Sequence, residues 1–117
     1  MIIYALFALL AAVLIYPFLA EALRPRMNAA RRKLAPGQFA TLSQGVTHYQ
    51  WRGPEDGAVA VCVHGLSTPS YVYNPFAEGL AEQGYRVLTY DLYGRGFSDR
   101  PGSDQDSAFF NRQLDDL

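Results

Sequence analysis

The segment IIYALFALLAAVLIYPFLA, Ile2 to Ala20, contains no charged residue, and this limits the chain's choices more than any other feature. As a helix rising ~1.5 Å per residue it would be about 28 Å long, close to the ~30 Å thickness of a bilayer's hydrocarbon core. Pro17 falls near its end, where a missing backbone donor costs least. Two other readings compete. A cleaved signal peptide would use Ala20-Glu21-Ala22 as its small-x-small site, but no Lys or Arg precedes the apolar run. A buried core helix is the third reading, and uniform apolarity over 19 residues disfavours it. The sequence therefore predicts a transmembrane anchor over residues 1–20, in contact with the lipid bilayer through residues 2–20.

Charge supports that choice and orients it. Arg24, Arg26, Arg31, Arg32 and Lys33 follow the apolar run against Glu21 alone, whereas from residue 34 onward five cations meet ten acids. Basic flanks stay on the cytoplasmic side of a membrane, so the remainder of the chain is predicted to be cytoplasmic. The same block can attract anionic lipid. It is too short, and too close to the apolar run, to read as a nucleic-acid surface, so no nucleic-acid partner is expected. Residues 21–38, closed by Pro36-Gly37, read as a juxtamembrane linker. A single cysteine, Cys62, excludes a disulfide framework and a cysteine-based metal site, and its place in an apolar run makes it a core residue.

Residues 39–117 read as alternating strands and helices. A hairpin is predicted from Phe39–Ser43 and Val46–Trp51 around Gln44-Gly45. AVAVCV, Ala58–Val63, is a short Val-rich run that fits a strand covered on both faces of a parallel sheet. In NPFAEGLAEQGYRV, Asn74 is the candidate N-cap, Pro75 the first helical residue and Gly84 the stop. RVLTY, Arg86–Tyr90, is the next strand, and a second helix begins at Ser107. Strands alternating with helices imply a βαβ unit and an α/β fold.

Ligands of open α/β sheets sit at the carboxyl ends of the strands. Two loops leave there, His64–Asn74 and Asp91–Gly102, and both are rich in small residues. VHGLSTPSYVYNPF followed by DLYGRGFSDRP resembles the N-terminal part of the α/β-hydrolase superfamily, in the branch of haloalkane dehalogenases, epoxide hydrolases, esterases and monoglyceride-type lipases. In that family His-Gly-x closes the third strand and Asp-x-x-Gly-x-Gly-x-Ser the fourth.

The resemblance implies the site. His64 would brace its loop and not act as base. Leu66 would offer its backbone N–H to an oxyanion, where preorganised donors stabilise developing negative charge. Gly65 would occupy a turn too tight for a Cβ. Asp91, Gly94, Gly96 and Ser98 would shape the second loop, with Asp91 accepting backbone N–H bonds. Tyr71, Tyr73 and Phe97 are candidate walls of an apolar substrate pocket. Ser67, Ser70 and Ser98 lie outside any Gly-x-Ser-x-Gly elbow, so none is read as the nucleophile. His48 is read as a surface strand residue.

In the family, nucleophile, acid and base follow in that order after the second helix, so residues 39–117 would be an incomplete hydrolase domain. Its third strand would lack its usual outer neighbour and form an open apolar edge. The predicted activity is esterase- or lipase-like hydrolysis of a small apolar substrate, ester-like or otherwise cleavable, in the complete protein, without cofactor or metal. Taken alone, the chain is predicted to be inactive. A catalytically dead binding module, or a small membrane protein that mimics the family's loops, is the alternative.

Overall fold

The computed structural model describes residues 1–102 and 104–117. Helix α1 spans Ile2–Ala22, two residues beyond the uncharged run, and none of its residues is buried. It is long and apolar enough to cross a membrane. Between α1 and the sheet lies one helical turn, α2 (Ala29–Arg32), capped by Asn28 Oδ1 accepting from Arg31 N–H. Arg32, at its end, forms an ion pair with Asp99, and its guanidinium lies over the Phe39 ring.

Strands β1 (Gln38–Leu42), β2 (Gly45–Arg52), β3 (Val59–Val63) and β4 (Arg86–Tyr90) form one sheet in the order β1-β2-β4-β3. The expected mostly parallel sheet is here a mixed one: β1–β2 and β2–β4 are antiparallel, and only β3–β4 is parallel. Helix α3 (Asn74–Glu82) connects β3 to β4 after a 3₁₀ turn at Ser70–Tyr73. Helix α4 covers Ser107–Asp116, and Asp106 caps it by accepting from Phe109 N–H at 2.8 Å.

The central strand β4 carries the core. Val87, Leu88, Thr89 and Tyr90 are all buried, and Val87 packs with Cys62 and with Ala77 of α3. Strand β3 departs from the expected two-sided cover. Cys62 is buried, but Val59, Val61 and Val63 are 62%, 42% and 44% exposed. Alternation places those three valines on one face, and among the described residues no helix covers it.

Asn74 is not the cap of α3. Because the 3₁₀ turn runs directly into the helix, Asn74 is already helical, and its Oδ1 accepts from Arg52 Nη2 at 2.8 Å. Gly84 does lie just past the helix with φ +93°, as a left-handed stop requires.

Candidate functional site

The loops that follow β3 and β4 lie side by side, and Asp91 joins them. Its side chain is buried, and both oxygens are used. Oδ1 accepts from the N–H and the hydroxyl of Ser70, at 2.8 and 2.7 Å. Oδ2 accepts from Phe97 N–H at 3.0 Å and from the His48 imidazole at 2.8 Å. Burial pushes the carboxyl pKa up, but the bonds from His48, Phe97 and Ser70 outweigh it and hold the group at about 2. Asp91 is therefore a fixed anion at neutral pH, unsuited to proton transfer.

His48 is not a surface residue. It is 3% exposed and lies between the rings of Phe39 and Phe97, each centroid 5.3 Å away. Its Nε2 accepts from Gly37 N–H at 3.1 Å, which leaves the ring proton on Nδ1, where it meets Asp91. The cause is register: Tyr49 faces Tyr90 across β2–β4, so one residue further His48 faces Asp91, and Asp91 N–H donates to His48 O at 2.9 Å.

His64, also 3% exposed, reaches across to the second loop. Its Nε2 accepts from Leu92 N–H at 2.9 Å, so Nδ1 carries the proton and donates to Gly65 O at 2.6 Å. The peptide that follows is planar and trans, so fixing the Gly65 carbonyl turns Leu66 N–H in the opposite direction. That N–H has no hydrogen-bond partner among the described residues. Leu66 O is held in turn by Arg95 Nε at 2.8 Å. The Arg95 Nη1 also donates to Tyr93 O at 3.0 Å and to Gln105 Oε1 at 2.8 Å. Two hydrogen-bonded side chains thus bracket one free main-chain donor.

Glycine roles divide. Gly96 has φ +50°, and a Cβ there would run into the Asp91 carboxylate. Gly94, at φ +79°, also needs the left-handed region. Gly65 does not fit its expected role, because a Cβ would meet nothing within 4 Å and its φ is not positive. Its turn is open on that side.

Ser98 is buried with its hydroxyl engaged twice, accepting from His48 N–H at 3.0 Å and donating to Asp91 O at 2.6 Å. Ser70 is committed to Asp91, and Ser67 is exposed. Tyr71 and Phe97 line an apolar cavity of about 240 Å³ with Pro36, His48 and Pro69. Tyr73 does not line it, because its ring packs against the Cys62–Ala77–Val87 cluster. Burial pushes the Cys62 thiol up despite the opposing Arg52 charge, which makes it a poor nucleophile.

Besides the misplaced His48, two residues escaped the sequence reading: Arg95 and Gln113. Gln113 is fully buried, with Nε2 donating to Thr47 Oγ1 at 2.9 Å and Asp91 O at 3.0 Å. Its Oε1 accepts from Tyr93 N–H at 3.1 Å, which fastens α4 to the second loop. The one available signal was the 3.6-residue spacing that puts Gln113 on the face of α4 shared with Phe109.

A parallel β3–α3–β4 unit, an antiparallel hairpin beside it, and two braced loops at the carboxyl ends are the features of an α/β hydrolase. The chain belongs to the family described as Serine aminopeptidase, S33 (Hydrolase_4), whose model matches residues 54–117, more than half of its length. It is 50% identical over 54 residues to a haloalkane dehalogenase of Mycobacterium marinum, covering 46% of this chain and 18% of that protein. A haloalkane dehalogenase of Mycolicibacterium paratuberculosis is 42% identical over 62 residues, covering 53% and 21%. Among solved structures, the enol-lactonase of Burkholderia xenovorans superposes with a TM-score of 0.65 at 23% identity, over 68% of this chain and 31% of that one. The chain thus spans about a fifth of the length of these dehalogenase relatives.

Proposed function

We propose that this chain forms the N-terminal part of a membrane-anchored α/β hydrolase and supplies one half of its oxyanion hole. Leu66 N–H is the donor, and His64 and Arg95 are positioning residues that hold its peptide. The observation that carries this reading is the His64 Nδ1–H bond to Gly65 O, which fixes the peptide whose Leu66 N–H has no hydrogen-bond partner among the described residues. A rigid main-chain donor of this kind suits a tetrahedral oxyanion, whose charge develops only in the transition state.

The nucleophile, the general acid and the general base are assigned to residues outside these 117, since none of Ser67, Ser70 and Ser98 sits in an elbow. The substrate is a small apolar ester. Attack on its carbonyl expels the alcohol, and water then releases the acid. No metal or organic cofactor takes part. Helix α1 spans the bilayer with its basic flank on the cytoplasmic side, and the linker 21–38 leads to the catalytic domain. These 117 residues alone do not hydrolyse esters.

The kinship with haloalkane dehalogenases favours a second reading, in which a carbon–halogen bond is broken and halide is released. Assaying the full-length protein with p-nitrophenyl butyrate and with 1-bromobutane separates the two. Ester turnover without halide release is expected. Halide release without ester turnover would replace the first reading by the second.

A further inference from the structure

Helix α1 has no buried residue, and the molecule measures 70 Å along its long axis against 30 and 29 Å across. Among the described residues, the anchor therefore stands away from the sheet, and its last turn reaches the loops. That meeting is specific. Glu21 forms ion pairs with Arg24 and with Arg100 of the second loop. A cavity of about 270 Å³ is lined jointly by Glu21 and Arg24 of the anchor's end and by Leu66, Ser67, Arg95 and Arg100 of the two loops. A neighbouring cavity of about 550 Å³ adds Arg26 to the same side.

Placement in a bilayer follows from length. At ~1.5 Å per residue the helix Ile2–Ala22 spans about 31 Å, the hydrocarbon thickness, so Glu21 and Arg24 fall at headgroup depth. Leu66 and Ser67 share a cavity with them, so they lie at that depth too. The charges agree, because four guanidinium groups (Arg24, Arg26, Arg95, Arg100) outnumber the two carboxylates lining the same cavities, Glu21 and Asp99. Such an excess is favoured at the anionic cytoplasmic leaflet. Leu66, beside them, exposes 60% of its surface.

We infer that the Leu66 mouth opens onto lipid headgroups, and that the substrate is a bilayer-resident amphiphile whose cleavable carbonyl lies at headgroup depth. The inference rests on the hydrolase reading for its substrate class, but not for its geometry. A water-soluble ester would have to enter through the lipid-facing side, whereas a membrane amphiphile already presents its polar group there.

The geometry is tested with the full chain in phosphatidylcholine–phosphatidylglycerol vesicles. In a Cys62→Ala background, a fluorophore is attached through Val13→Cys, Ser67→Cys or Asp56→Cys. Asp56 lies in the loop before β3, at the opposite end of the strands. Quenching by headgroup-nitroxide lipid is compared with quenching by aqueous iodide. The Ser67 label is expected to be quenched by the lipid nitroxide and protected from iodide, and the Asp56 label the reverse. A Ser67 label as open to iodide as the Asp56 label overturns the inference, as does a Val13 label that is not shielded.

The substrate class is tested separately on the full-length protein in the same vesicles. It should turn over p-nitrophenyl palmitate held in the bilayer faster than p-nitrophenyl acetate in solution, and the reverse order overturns the class. Turnover of neither ester, with the Ser67 label at headgroup depth, would refute the hydrolase reading and leave the geometry standing.

Discussion

Asp91 carries four hydrogen bonds on a carboxylate that water cannot reach, and this makes it the residue on which both loops depend. Its pKa, lowered from the ordinary 3.8 to about 2, is linked to stability. The contribution is fully present above pH ~4 and is lost as pH falls through the folded-state value, in total about 2 kcal/mol. Asp91→Asn should remove this acid-linked component and destabilise by roughly 2–4 kcal/mol, because an amide has one acceptor oxygen and turns N–H groups toward donors. Urea titrations of the full chain in detergent between pH 5 and pH 2 check both effects. A variant as stable as the parent, with an unchanged acid limb, would show that the four bonds matter little. Gly96→Ala tests the same centre from the other side. The left-handed backbone and the collision with Asp91 should together cost at least about 2 kcal/mol. A loss below about 0.5 kcal/mol, typical of surface changes, would mean that the loop relaxes freely.

Elements were largely legible from residue pattern, because strand and helix periods are local. The hairpin, the Val-rich strand, RVLTY and the two helices fall within a residue or two of their expected positions, and α3 stops before Gly84. What pattern could not convey is pairing. The neighbour of β4 on one side is β2, far away in sequence, and only that register brings His48 to Asp91. A histidine in THYQWRG looks like any exposed strand residue until its partner is known. Arg95 was hidden for a similar reason, since an arginine between two loop glycines reads as solvent-facing. Its bonds to Leu66, Tyr93 and Gln105 need the folded loops to exist. The two-sided cover assigned to β3 failed because an apolar run does not say which neighbours are present. At this scale the test is Gln113→Leu. It leaves Tyr93 N–H buried without its partner and should cost roughly 1–3 kcal/mol. Hydrogen exchange should show faster exchange confined to α4 and Tyr93, and uniform protection would contradict the link.

The whole molecule combines a helix with no buried residue and a sheet whose two outer strands, β1 and β3, each pair on one side only among the described residues. Strand β3 pairs on one side only, and its valines are open on one face, with no Lys or Pro in the strand to discourage further pairing. Residues 39–117 expressed alone should therefore aggregate, and Val61→Lys should raise the soluble fraction by placing a charge on that edge. A monomeric 39–117 piece with a sharp cooperative melt would mean that the open edge is harmless. Helix α1 and the two loops come together: α1 ends at the cavity shared with Leu66, and the parallel strands β3 and β4 lead into those loops.

We propose that His64 preorganises the Leu66 N–H as an oxyanion donor, and kcat and KM of the full-length protein and its His64→Ala variant on p-nitrophenyl butyrate, in phosphatidylcholine–phosphatidylglycerol vesicles, decide it. Loss of the aimed donor should lower kcat roughly 100- to 1,000-fold with KM little changed, because the bond to the oxyanion is made in the transition state. A folded His64→Ala protein with the parent's kcat would show that the Leu66 N–H needs no brace, or takes no part in the reaction.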